Sequence, residues 1–172
     1  MNQMFDVGTP RADRLVLRPW RIGDPWRIGD APAVPQVHDH HDVAPAGRWV
    51  VERSHDRRVV GGASLLPLPP GNDDLAIVWW LHPALPHDDH VTEVVTALAS
   101  GAFDHCVDEV FTVVRPDDTR TAEHARRSGM RWVGETSKYF GLDLHVYRLR
   151  PADLGHTAPG HEAYAPPHRR AS

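Results

Sequence analysis

Residues 75–114 constrain the fold more than any other stretch of this chain. LAIVWWL at 75–81 is an unbroken apolar run, the pattern of a strand buried on both faces. In VTEVVTALASGAFDH, residues 91–105, the apolar positions are 91, 94, 95, 98, 99, 102 and 103, the spacing of one helix face. Gly101 weakens that helix without forbidding it. EVFTVV at 109–114 reads as a further strand. A strand, a helix and a strand in succession predict a parallel pair joined by a right-handed crossover.

The flanks add strands of another kind. RLVLR at 14–18, RWVVER at 48–53 and VVGGASLLPL at 59–68 read as strands separated by the polar turns SHDRR and PPGNDD. The Gly61-Gly62 pair inside the third strand suggests a bulge or a close backbone approach. After 109–114, DDTRTAEHARRS at 117–128 places acidic residues first and arginines last, which suits a helix dipole, and Gly129 stands where a C-cap is expected. Residues 130–141 and 142–149 read as two final strands. The order is strand, loop, three strands, helix, strand, helix, two strands, so the fold class is α+β with a mixed sheet. The domain is expected over 9–150, after a short arm at 1–8. From Pro151 onward the Pro- and His-rich sequence reads as a disordered tail, 151–172.

Between the first two strands lie a tandem repeat, WRIGDP then WRIGDA at 20–31, and a Pro-, His- and Asp-rich stretch at 31–47 that reads as a loop. Two copies of six residues are too short to make a solenoid. The stretch contains His38, His40 and His41 beside Asp39 and Asp42. These are zinc-type ligands, but adjacent loop residues rarely close a tetrahedral site, and the expectation is no metal.

Composition narrows the function. The chain has 172 residues, enough for one domain with a sizeable core, and a formal net charge of −4, which gives no footprint for nucleic acid. No apolar run is long enough to span a membrane. The N-terminal sequence has no long apolar core and reads as no signal peptide. The single cysteine, Cys106, forms no intrachain disulfide; it fits a reducing, cytoplasmic setting and reads as a small buried residue at the end of the first helix.

Four segments, taken together and in order, resemble the GNAT acetyltransferases, most closely their RimJ/RimL-like branch. TPRADRLVLRPW, from Thr9, is similar to the family's opening strand. WWLHP at 79–83 resembles the end of its fourth strand. Thr92-Glu93 falls where the family's helix start lies. VVRPDDTRTAEHARRSGMRWVGE, from Val113, resembles the family's V-x-P-x-N-x-x-S stretch and the Gly-Met that follows. The resemblance implies a GNAT fold and transfer of an acetyl group from acetyl-CoA to an amine, on a small molecule or a protein N-terminus. It implies a splayed gap between the fourth and fifth strands that takes the pantetheine arm. The pyrophosphate would sit on the next helix N-terminus, where unpaired N–H groups favour an anion.

On that pattern the cofactor-binding residues are Trp80, Leu81, His82, His87, Asp88, Asp89, His90, Val91, Thr92, Asp118 and Thr121. The catalytic candidates are His82, at the end of the fourth strand, and His124, on the second helix beside Ala125, where many relatives carry a Tyr. The phosphate loop departs from the family pattern. Its glycine positions fall on His87 and Asp89 and its basic position on Asp88, so ALPHDDHV carries side chains and carboxylates where phosphates approach. A family Glu near the fourth strand falls at Ala76, which cannot act as a base. Asp73 and Asp74 read as turn residues. An alternative is therefore a GNAT-fold module that has lost CoA binding and serves in interaction, or an enzyme with a different donor. Of the six tryptophans most read as core. Trp20 and Trp26 suggest an acceptor pocket or a homodimer contact.

Overall fold

A computed structural model describes residues 14–21, 23–24, 45–69, 74–82 and 87–154. They form one seven-stranded sheet and two helices. The strands are β1 (Leu15–Pro19), β2 (Gly47–Arg53), β3 (Val59–Pro67), β4 (Leu75–Leu81), β5 (Val110–Val114), β6 (Arg131–Thr136) and β7 (Leu144–Leu149), and the helices are α1 (His87–Asp104) and α2 (Thr119–Arg127). The spatial order is β1-β2-β3-β4-β5-β7-β6. Every neighbouring pair is antiparallel except β4 with β5, the pair that α1 connects. The mixed sheet expected from the sequence is thus present.

Both helices pack on one face. Val91, Val94, Val95 and Leu98 of α1 and Ala122 and Ala125 of α2 join one buried cluster with Leu15, Leu17, Val51, Leu65, Ile77, Val110 and Tyr147 from the sheet. Ala76 faces the other way, with Leu68, Tyr139 and Leu144 in a smaller cluster that Phe111, Val113, Phe140 and Leu142 flank. The period-two alternation of strand side chains assigns successive residues of β4 and β5 to these two cores.

α1 begins at His87, four residues before the start expected from the periodicity, so HDDH belongs to its first turn rather than to a preceding loop. Periodicity marks apolar positions, and HDDH has none for it to register. α2 starts after Asp118, whose carboxylate accepts the Thr121 N–H at 3.0 Å, and Gly129 follows at φ 85°, as a helix terminator should. The strand expected at 130–141 stops at Thr136, because Phe140 and Gly141 both take left-handed φ in the turn to β7. Pro151–Asp153 form a 3-10 turn, and residues 155–172 lie outside the described residues, as do 1–13.

Gly61 fulfils the close-approach expectation. A β-bulge between β2 and β3 lies beside it, and a Cβ built on Gly61 would stand 2.1 Å from the Trp80 carbonyl oxygen. Two other readings are corrected. Cys106 is exposed, because it takes the left-handed position (φ 62°) that ends α1 and turns its side chain away from the core. Trp49 is buried, but Trp20 and Trp132 are exposed, and only Trp79 among the others packs against the main core. Trp26 lies outside the described residues.

Candidate active site

β4 and β5 meet at a single registered pair, Ala76 with Phe111. Beyond it, toward their C-terminal ends, the strands part. The Thr112 hydroxyl, buried, donates to the Ile77 carbonyl at 2.9 Å. A side chain therefore stands where a ladder bond would continue. The opposite edge of β4 is closed: its residues pair with β3 from Leu75↔Pro67 through Leu81↔Gly61, and the His82 N–H donates to the Val60 carbonyl at 2.7 Å. Backbone polar groups of a strand alternate in direction. The Ile77 carbonyl points toward β5, so the N–H and C=O groups of Trp79 and Leu81 face the same parted seam.

An open crevice occupies the parted region. Its walls are residues 77–79 of β4, residues 112–115 at the end of β5, Asp118 and Thr121 at the start of α2, and Phe140, Leu142 and Leu144 from the β6–β7 connection. The walls are mostly apolar with a few polar groups, the usual make-up of a small-molecule site. Tyr139 secures the β6–β7 connection: its hydroxyl donates to Asp74 Oδ2 at 2.8 Å, and Lys138 Nζ lies 3.2 Å from the same oxygen. These contacts hold the Asp74 carboxyl below its usual range, the Tyr139 hydrogen bond most of all. Asp74 is thus engaged at the base of β4. Asp73 lies outside the described residues.

The structure brings only some of the expected residues together. Asp118 and Thr121 line the crevice and bond to each other. Trp80, Leu81 and His82 continue β4 just past the lining segment: Trp80 is half-buried, Leu81 sits in the main core, and His82 is exposed. The His82 ring meets Trp80 edge to face, with centroids 6.4 Å apart and planes at 82°. His87, Asp88 and Asp89 occupy the first turn of α1; His90 and Val91 in the next positions are buried, and Thr92 is half-buried. His124 is half-buried on α2, where its carbonyl accepts the Ser128 N–H and hydroxyl, and it does not line the crevice. Ala76 is buried at the single pair itself.

Most lining residues had no part in the expected site, Thr112, Arg115, Phe140 and Leu142 among them. Thr112 is the one polar residue within the β5 strand VFTVV, a signal that the sequence carries. The others come from segments whose approach to the seam depends on the fold. Among the described residues no group of three or more His, Cys, Asp or Glu could hold a metal ion. The histidines at 38, 40 and 41 lie outside them. No helix among the described residues is long and apolar enough to cross a membrane.

With this geometry in place, comparison with known proteins assigns the class. Residues 14–131 match the family model described as acetyltransferase (GNAT) domain, which covers more than half of the chain. The chain belongs to the GNAT acetyltransferase family. Among solved structures, an acetyltransferase from Agrobacterium tumefaciens aligns with a TM-score of 0.64 at 20% identity, covering 87% of this chain and 98% of that one. RimJ of Mycobacterium smegmatis, in complex with CoA-disulfide, aligns at 0.53 and 17% identity, covering 65% of this chain and 56% of that one. A chimera of the Vibrio cholerae spermidine N-acetyltransferase SpeG with hSSAT aligns at 0.58 and 12% identity, covering 81% and 96%. At these identities the likeness establishes the fold. A search of curated protein sequences gave no match.

Proposed function

We propose that this chain is an N-acetyltransferase that moves an acetyl group from acetyl-CoA to an amine of a small molecule or a protein N-terminus. The observation that carries the reading is the parted β4–β5 seam, with β4 backbone groups directed into it and a helix starting beside it. The residues fit an amide-bearing arm laid along β4, since Trp79 and Leu81 present alternating donors and acceptors on the open edge. Bound acetyl-CoA supplies an activated acetyl thioester. Val78 and the β6–β7 connection wall the crevice on the face opposite the helices, and Trp79 walls it on the helix face.

The amine must lose a proton to act as a nucleophile. His82 is the residue proposed to take it, from the exposed end of β4 beside the seam. His124 is the second candidate, on the α2 helix that borders the crevice. Replacing a residue of this kind costs about 10²–10⁴ in rate. His82→Ala should therefore depress kcat by about two orders of magnitude or more, and a loss confined to His124→Ala would transfer the role. The single cysteine supports a cytoplasmic setting.

A second reading is favoured by the first turn of α1. His87, Asp88 and Asp89 stand there in place of small residues, and carboxylates near a helix N-terminus compete with a bound phosphate. On that reading the chain is a binding module or uses a donor without a diphosphate. Thermal shift with acetyl-CoA separates the two: a ligand at 100 times its Kd adds about 2.7 kcal/mol of stability. No shift at millimolar acetyl-CoA rules out the acetyltransferase reading. Asp88→Arg together with Asp89→Gly should raise acetyl-CoA affinity if the helix start holds the phosphates.

A further inference from the structure

We infer that Arg115 binds an oxyanion, a carboxylate or phosphate carried by the molecule that occupies the β4–β5 crevice; the inference rests on that crevice being the reaction site. Arg115 follows the last residue of β5, lines the crevice and is exposed. Its guanidinium has no ion pair or side-chain hydrogen bond among the described residues, whereas most arginines of the domain have one. Phe111 and Val113 face the small apolar cluster beneath the β6–β7 connection, and Arg115 is next in that alternation. Pro116 favours an extended backbone at Arg115, which carries the alternation one residue past the strand.

The surrounding charges decide which ligand fits. The other charged lining residue is Asp118, and its carboxylate is engaged by the Thr121 N–H. Asp74, beneath the same connection, is neutralised by Lys138 and bonded by Tyr139. Glu52 and Asp24 are held by Arg18 and Arg57. Asp117 and Asp143 are neighbours in sequence but do not line the crevice. A polyamine entering the crevice therefore meets one carboxylate, already bonded, and a like charge on Arg115. An oxyanion meets an uncommitted guanidinium beside apolar walls, and its planar fork pairs with carboxylate or phosphate.

The oxyanion has two sources, the phosphates of the donor or a carboxylate on the acceptor. Wild type, Arg115→Gln and Arg115→Lys are titrated with CoA and with pantetheine, which lacks the phosphates. They are then assayed with phenylalanine and phenethylamine, which differ only in the carboxylate. A drop of about tenfold in CoA affinity for Arg115→Gln, with pantetheine unchanged, assigns the phosphate. A drop of about tenfold in the kcat/KM preference for phenylalanine, with phenethylamine unchanged, assigns the carboxylate. In either case Arg115→Lys should recover part of the loss, and an unchanged Tm shows the fold intact. If neither quantity moves, the inference is overturned. If wild type neither binds acetyl-CoA nor transfers acetyl, the proposed function fails on its own. Pyrophosphate titration then decides Arg115: weaker binding in Arg115→Gln keeps it as an oxyanion site, and equal or absent binding removes it.

Discussion

β4 has two neighbours and treats them differently. Against β3 it is paired along its whole length, and the backbones come so close at Gly61 that no side chain fits between them. Against β5 it holds one registered pair and one side-chain hydrogen bond, then parts. The first seam contributes stability, and the second gives up ladder bonds to leave a strand edge open to a ligand. A strand edge with unpaired groups invites a partner. Within a sheet and beneath a covering connection, the opening has the make-up of a small-molecule site rather than of a strand-pairing edge.

The largest test strikes the closed seam. Gly61→Ala places a Cβ against the Trp80 carbonyl and should cost about 3 kcal/mol or more, read as a fall in the urea midpoint. A variant as stable as wild type would show that the seam is not sealed there. Next comes the wing of the sheet on the same closed side. Arg18 of β1 reaches Glu52 of β2 at 2.5 Å and Asp24 at 2.6 and 2.9 Å. Asp24→Asn should cost about 2 kcal/mol near neutral pH. The Arg18 hydrogen bond, chief among its contacts, lowers the Asp24 carboxyl from 3.8 to about 2. A carboxyl lowered on folding stabilises above its unfolded value and stops doing so as pH falls through its folded one. The gap between wild type and Asp24→Asn should therefore narrow from pH 4 down to pH 2, and a gap constant across that window would place the stabilisation elsewhere.

Thr112→Val probes the open seam. It removes the hydroxyl that meets the Ile77 carbonyl and should cost about 1 kcal/mol. A change near zero would mean that water or a ladder bond replaces it, and that the seam can close. The smallest effect lies on the connection between the seams. Cys106→Gly relieves a left-handed residue at the end of α1, a strain of about 1–2 kcal/mol, while adding backbone entropy to the unfolded chain. The net gain should be about 0.5 kcal/mol, visible as a small rise in Tm. A fall in Tm would give the exposed thiol a packing role.

Much of the architecture was legible because it is written in local patterns. The β4 run, the packed face of α1 and the glycine that ends α2 depend on residues close in sequence, and each appears where the sequence places it. Gly61 was legible as an exception, a glycine inside a strand. The site was legible only in part. Asp118 and Thr121 reach the crevice, but Arg115, Phe140 and Leu142 do so because β7 inserts between β5 and β6 and brings the β6–β7 connection over the seam. Cys106 and the outer tryptophans were misplaced for a related reason. Burial is decided by which elements cover a residue, and a reading by residue type assumes that large or sulfur-bearing side chains are always covered.

By itself the sequence determined the strand and helix order, the parallel crossover and the family, because periodicity and capping act over a few residues and motif spacing survives without coordinates. Only the tertiary structure decided at which pair β4 and β5 part, that α1 begins at His87, and that Arg115 lines the resulting crevice without a charge partner among the described residues. Those features arise from pairings and charge partners far apart in the chain, which local pattern cannot assign.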